Sequence, residues 1–345
     1  MRLSICIPTY NRAHTLRRLL DSIAAQIGDD GFDRDGFEIA ISDNASTDDT
    51  SDVVAGYVAA GLPITYHRFE ENKGFDRNLM NAIEIAAGEY CWLFGSDDFL
   101  EPDGLSRVWK ALGEHPSLTG MSVGSQGYSP NLDRQIFVND HISTEFATDT
   151  MLEGRDAIIA SIGPWMGFIS SLVVCRERWR AAIRSAPVEP YMHGYIHLYL
   201  CAKMLDEDSR WICVPDRLVG CRTGNDSFLA KDEFARTRLD IEGYDLAFGA
   251  TLGRTNPAYR QAMAKVSAFY IRTHFLNAKV KGASGAYWKQ AIPMSLTHYW
   301  RYPTFWTKTF PIAVTPRFVM LGVRTAYRGT VKPILERRRG IKPQR

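Results

Sequence analysis

Residues 89–98 read EYCWLFGSDD, a short apolar run that breaks on glycine and ends in two adjacent carboxylates. Its length, bounded by turn-forming residues, predicts a strand buried on both faces over 89–95. The same grammar occurs three times upstream, in LSICIPT (3–9), FEIAISD (37–43) and ITYHRF (64–69). Helical patterns fill the gaps. Leu16, Leu19, Leu20 and Ile23 share one face. Val53, Val54, Tyr57 and Val58 follow the capping candidates Ser46, Thr47 and Asp48. A third helix is predicted from about 76 to 87, and Pro102 opens a fourth through Leu105, Val108, Trp109 and Leu112. Strands alternating with helices of this length imply a doubly wound, mostly parallel, Rossmann-like α/β sheet. Ligands of such sheets sit beyond the carboxyl ends of the strands. The polar clusters PTYN, DNAST, ENKG and SDD all fall there, so one candidate site gathers residues 8–11, 43–47, 72–78 and 96–98.

Composition places few limits on function until it is divided along the chain. The 345 residues are 45% hydrophobic and 23% charged, an ordinary folded balance with room for one large domain or two smaller ones. The net charge of +2 conceals an asymmetry. Residues 246–345 hold 18 Lys/Arg and a single acid, Glu336, whereas residues 1–245 hold 23 basic and 38 acidic residues. A basic third on an acidic body points to a polyanionic partner for the tail. The six cysteines are scattered through apolar runs with no CxxC spacing, which reads as buried free thiols in a reducing compartment. MRLSICIPTYNR turns polar too soon for a signal peptide, and no apolar stretch reaches the ~18 residues of a spanning helix. These readings place the chain in the cytoplasm.

Asp97 and Asp98 stand at the rim of the fourth strand. Adjacent carboxylates repel each other, and a divalent cation relieves that repulsion; their hard oxygens suit Mg²⁺ or Mn²⁺. Such ions, held by one or two carboxylates, commonly also bind substrate phosphates.

SICIPTYNR, ISDNASTDDT, ENKGFDRNLMNAI and WLFGSDDFLEPDGL, in this order and spacing, resemble the family 2 inverting glycosyltransferases of the GT-A fold. The SDD form and the stretch FISSLVVCRERW resemble the abequosyltransferase-like branch, which builds bacterial surface polysaccharide. The resemblance implies transfer of a sugar from a nucleoside-diphosphate sugar to a glycan or lipid-linked glycan acceptor. It implies that Pro8, Thr9 and Asn11 line the nucleotide pocket and that Asp43 accepts from the base. It also implies that Asn72, Gly74 and Arg77 shape the pocket floor, that Asp97 meets the ribose and that Asp98 ligates the metal. The family places its general base in an ED pair at the start of a helix, and this chain has no such pair. PYMHGYIHLYLCAKML (190–205) occupies the corresponding stretch, which makes His197 the leading base candidate and His193 the second. The resemblance further implies that CRTGNDS (221–227) closes over the diphosphate, with Arg222 pairing with its oxygens and Asn225 or Ser227 donating hydrogen bonds, and Trp165 in GPWMGF suits a sugar face on the acceptor side.

These expectations divide the chain into a GT-A nucleotide-sugar-binding and catalytic domain over 1–228 and a helical basic region over 229–345. The tail interleaves aromatics and cations in HYWRYPTFWTKTF and PRFVMLGVRTAYRGTVKPILERRR, with no nucleic-acid-binding motif. It is expected to lie on the anionic inner face of a cell membrane rather than on nucleic acid. A nucleotidyltransferase and a non-catalytic nucleotide-binding scaffold are the rival readings. The first lacks its glycine-rich loop in PTYNR, and the second draws on the missing ED pair.

Overall fold

The structure, a computed structural model, describes residues 3–28, 34–136, 141–224 and 232–331. Strands β1 (Leu3–Thr9), β2 (Phe37–Asp43), β3 (Ile64–Arg68) and β4 (Tyr90–Leu93) alternate with helices α1 (Ala13–Ala24), α2 (Thr50–Ala59) and α3 (Phe75–Glu84). The chain continues through β5 (Phe99–Leu100), α4 (Gly104–Glu114), β6 (Gly120–Tyr128), β7 (Gln135–Ile136), α5 (His141–Glu145), β8 (Thr150–Glu153) and α6 (Arg155–Ile162). It then forms β9 (Leu172–Cys175), α7 (Arg176–Ser185), α8 (Ile196–Lys203) and the long β10 (Arg210–Arg222).

One sheet runs in the order β3-β2-β1-β4-β9-β6-β10-β5, with β7 paired to β6 and β8 to β10. The first four strands are mutually parallel, and β6 and β10 are parallel to each other. β9 is antiparallel to both its neighbours, β4 and β6. β1 is buried from end to end, as a central parallel strand must be, and its sequence is accordingly a nearly unbroken apolar run. On one face of the sheet, Leu16, Leu19, Leu20 and Ile23 of α1 and Leu105, Val108 and Leu112 of α4 join Ile5, Ile7, Ile39 and Trp92 in a single core. This packing leaves the strand ends at Thr9, Asp43, Arg68 and Leu93 to carry polar loops.

Beyond the sheet come α9 (Ala235–Leu252), α10 (Pro257–Val266), α11 (Arg272–Lys281), α12 (Gly285–Tyr299), α13 (Phe310–Val314) and α14 (Arg317–Ala326). A π-helical turn at Ser267–Ile271 joins α10 to α11. The chain forms two compact units: Met1–Ser227 with Leu246–Ala262, and Phe228–Asp245 with Met263–Arg345. The second unit has its own apolar core, including Phe234, Tyr244, Phe275, Tyr299 and Phe305. Among the described residues no helix is long and apolar enough to cross a membrane. All six cysteines are free thiols.

Candidate active site

The strand ends are stitched together by side chains of the polar clusters. Asn11, in a left-handed conformation, donates its amide to Ser46 Oγ (2.8 Å), and its Oδ1 accepts from the Thr47 amide (2.7 Å). Asn44 donates through Nδ2 to Asn72 Oδ1 (2.8 Å) and accepts from the Lys73 amide (2.7 Å). Asn72 Oδ1 also takes the Gly74 amide (2.9 Å), and Gly74 turns the chain into α3 at φ 84° and ψ 164°. Asn11 and Asn72 therefore hold the shape of the pocket rim. Thr9 keeps a buried hydroxyl that has no hydrogen-bond partner among the described residues, and Pro8 is buried beside it in β1. Asp43 is fully buried, accepting from the Ser46 amide (2.9 Å) and the Tyr66 hydroxyl (2.7 Å), with the Arg68 guanidinium 3.7 Å away. Burial and the Asp43 carboxylate push the Tyr66 hydroxyl well above its ordinary pKa. Arg77 is exposed on α3.

Asp97 and Asp98 sit in different environments. Asp97 is partly exposed and paired with Arg12 at 2.7 Å. Asp98 is 5% exposed; its Oδ2 accepts from the Ser170 hydroxyl (2.5 Å) and its Oδ1 from the Arg222 amide (3.1 Å). Burial, reinforced by the charge of Asp97, pushes the Asp98 carboxyl up to about 8, with the Ser170 and Arg222 hydrogen bonds and Arg12 opposing. The two carboxylates converge on Gly95: a Cβ placed there would lie 3.1 Å from Asp97 Oδ1 and 3.2 Å from Asp98 Oδ2. Ser170 closes this cradle by accepting from the Gly95 amide (2.9 Å). Arg222 hydrogen-bonds Pro130 O (3.1 Å) through its guanidinium. Burial depresses its pKa, Asp97 and Asp98 oppose, and Arg18 and Arg12 add to the depression, so both of those arginines stand near the Arg222 guanidinium. Guanidinium groups match phosphate oxygens two by two. Asn225 and Ser227 lie outside the described residues.

A chain of contacts runs from the strand ends to the second-half helix. On α3, Asn78 donates through Nδ2 to Thr9 O (3.1 Å). Asp76, two residues earlier, accepts from the Gly194 amide (2.6 Å) and the Ile196 amide (3.2 Å), capping the first turn of α8. This fixes residues 193–197 next to the pocket, but the two histidines differ. His197 is 1% exposed, its ring edge-on to Tyr195 with centroids 5.3 Å apart. His193 is exposed. A general base must touch the acceptor hydroxyl, and of the two only His193 reaches the surface. Trp165 is 5% exposed and stacked on His141 with centroids 3.5 Å apart, so one face of the ring is already taken.

The sequence profile of Glycosyl transferase family 2 matches residues 4–172. Abequosyltransferase RfbV of Salmonella typhimurium is 34% identical over 262 residues, covering 71% of this chain and 73% of RfbV. The chain belongs to glycosyltransferase family 2. A second relative, the poly(ribitol-phosphate) beta-N-acetylglucosaminyltransferase TarS of Staphylococcus aureus, is 31% identical over 118 residues, covering 34% of this chain and 20% of TarS. The crystal structure of TarS 1-349 in complex with UDP-GlcNAc superposes with a TM-score of 0.53 at 15% identity, covering 94% of this chain and 92% of that one. The shared fold is the GT-A architecture that the strand-end motifs implied.

Four residues of this glycosyltransferase build the site without having been given a role from sequence: Asn44 and Asp76 lie inside the ranges picked out there, Arg12 and Ser170 outside them. Arg12, Asn44, Asp76 and Ser170 each form a contact that builds the site. Asn44 stood inside DNAST and Arg12 directly after PTYN, and both were legible as polar strand-end residues. Asp76 reaches a partner 118 residues away and Ser170 one 72 residues away, and no local pattern encodes such pairings.

Proposed function

We propose that this glycosyltransferase moves a sugar from a nucleoside diphosphate to an acceptor hydroxyl by a single displacement with inversion, aided by Mg²⁺ or Mn²⁺. One observation carries the reading: Asp98 is buried beside Asp97, and its proton is held to about 8 by that burial. A carboxyl group in this state is costly to ionise alone and is relieved by a bound cation. The convergence of both carboxylates on Gly95 fits such an ion. Among the described residues no group of three or more His, Cys, Asp or Glu could hold one unaided. Two carboxylates suit an ion that completes its shell with water and substrate phosphates. Asp98 would hold it, and when bound it neutralises charge that develops on the leaving diphosphate.

The remaining work falls to the chain. Arg222 pairs with diphosphate oxygens, and Asp97, oriented by Arg12, accepts from the ribose. Pro8, Thr9, Asn11, Asp43, Asn72, Gly74 and Arg77 shape the nucleotide pocket. His193 takes the proton of the acceptor hydroxyl as it attacks the anomeric carbon, a role a neutral imidazole performs near pH 7. His197, buried and edge-on to Tyr195, packs within α8. The UDP-GlcNAc held by TarS in the shared fold supports a nucleotide-sugar donor, and the abequosyltransferase RfbV supports glycosyl transfer; the acceptor we propose is a bacterial surface glycan. The basic second unit fits peripheral contact with an anionic membrane that carries the acceptor.

The test is release of the nucleoside diphosphate from a panel of activated sugars, with and without EDTA. Asp98→Ala should abolish turnover while the protein still melts cooperatively; full turnover by that variant would sink the assignment. His193→Ala should lower kcat by about 10²-fold or more, with donor binding preserved. A matching loss from His197→Ala at unchanged melting temperature would instead return the role to His197.

A further inference from the structure

Of the large apolar side chains exposed among the described residues, seven fall between Trp300 and Tyr327. They are densest on α14, a helix with no buried residue. Phe318 is 76% exposed and Val323 58%. At 3.6 residues per turn, Phe318, Val319, Gly322, Val323, Thr325 and Ala326 occupy one continuous half of this helix, and all are exposed. Met320, Leu321 and Arg324, half-buried, lie on the other half. The helix thus wears its apolar side outward, the reverse of a surface helix in water.

Cations stand on the other half of α14, at Arg317 and Arg324, and on the end of α11 to which Arg317 is bonded. Arg317 donates to the carbonyls of Lys279 and Val280 (3.2 Å each), which ties α14 to the carboxyl end of α11 and brings Lys279 and Lys281 beside its first turn. Glu233 reaches the adjoining turn and is bonded to the amide and hydroxyl of Ser284. Between residues 246 and 331 the sequence has no acid at all. An outward apolar stripe backed by cations, in a stretch without acids and on a helix too short to span, matches the headgroup layer of an anionic bilayer: the apolar side chains enter the acyl boundary while the basic chain behind them is drawn to lipid phosphate. A second copy of the same face would bring like charges together.

We infer that α14 is a membrane-surface anchor, seated in an anionic lipid headgroup layer through Phe318, Val319 and Val323. That it thereby holds the enzyme beside a lipid-linked acceptor rests on the transfer reading above; the lipid contact itself does not.

The experiment is cosedimentation of the full chain with phosphatidylcholine vesicles, with and without phosphatidylglycerol, at low and high salt. Binding should require phosphatidylglycerol and weaken with salt. The double variant Phe318→Ser, Val323→Ser should bind at least about tenfold more weakly at an unchanged melting temperature, because both side chains are already in water. Lys281→Gln with Arg324→Gln should also weaken binding and flatten its salt dependence. Equal binding to neutral vesicles would overturn the inference, as would undiminished binding by the double variant. A lowered melting temperature in the double variant without vesicle binding, or a dimer that this variant dissociates, would also overturn it by showing that protein covers the face. The thermal shift produced by UDP with Mn²⁺ reads the donor pocket separately. A chain that binds UDP but ignores vesicles loses the anchor and keeps the transfer reading; one that binds vesicles but not UDP supports the anchor alone.

Discussion

Asp98, the proposed ligand of the cation, also carries a stability term of definite sign. Its carboxyl is raised from the ordinary 3.8 to about 8, so the folded protein binds this proton more tightly than the unfolded chain does. The associated stability is fully present below about pH 4 and is lost as the pH rises through about 8. Without a divalent ion the wild type should therefore melt lower at pH 8 than at pH 5. Asp98→Asn, which stays neutral, should lose that difference and melt at or above the wild type at pH 8. Mn²⁺ should raise only the wild-type value. Thermal melts at the two pH values in EDTA and in Mn²⁺ check this; a variant that melts well below the wild type at both would contradict it. Ser170 acts through Asp98. A hydrogen bond to a charged group contributes about 1.5–3 kcal/mol, so Ser170→Ala should raise the half-saturating Mn²⁺ by about tenfold or more, read from thermal shifts, with kcat at saturating metal less affected.

Elements, not single side chains, set where the two halves of the reaction meet. Asp76 of α3 bonds the Gly194 and Ile196 amides at the start of α8, so one helix orders the segment that presents His193. Asp76→Ala should cost about 1 kcal/mol of stability, as loss of a cap does. It should lower kcat with little change in UDP affinity, a split that a purely structural defect would not give. Gly74 opens the same helix at φ 84° and ψ 164°, a region essentially reserved for glycine. Gly74→Ala should cost about 1–3 kcal/mol, measured by denaturant melts. The sequence was informative where structure is local. β1 to β4 and α1 to α4 announce themselves by period and turn chemistry, and the acid pair stands at the predicted strand end. β7, β8 and α6 did not, because short edge strands such as β8 exist by pairing with distant β10 rather than by their own pattern. The antiparallel direction of β9 was equally hidden: LVVC reads the same either way, and only its neighbours β4 and β6 orient it. The burial of His197 was hidden for the same reason, since an all-round apolar helix declares burial but not which end meets solvent.

At the scale of the whole chain, the charge distribution constrains how a donor can bind. The acids are concentrated before residue 246, the same stretch that carries the proposed nucleotide pocket, while a nucleoside diphosphate is itself anionic. Bulk charge therefore opposes donor binding, and the attraction must come from Arg12, Arg18, Arg222 and a cation at the acid pair. Without the cation, Asp97 and Asp98 offset part of the arginine charge; with it, the same pair becomes attractive. Nucleotide and metal should accordingly bind with strong positive coupling. UDP in EDTA should barely move the melting temperature, Mn²⁺ alone should move it modestly, and the two together should exceed the sum of the separate shifts. At a hundredfold excess over the dissociation constant, linkage supplies about 2.7 kcal/mol, large enough to resolve in a thermal-shift series. Replacing UDP by the other nucleoside diphosphates in the same series reads the base preference. If UDP shifted the melt equally in EDTA and in Mn²⁺, the three arginines would suffice for the diphosphate. The raised carboxyl of Asp98 would then have to serve the reaction as an acid rather than as a metal ligand.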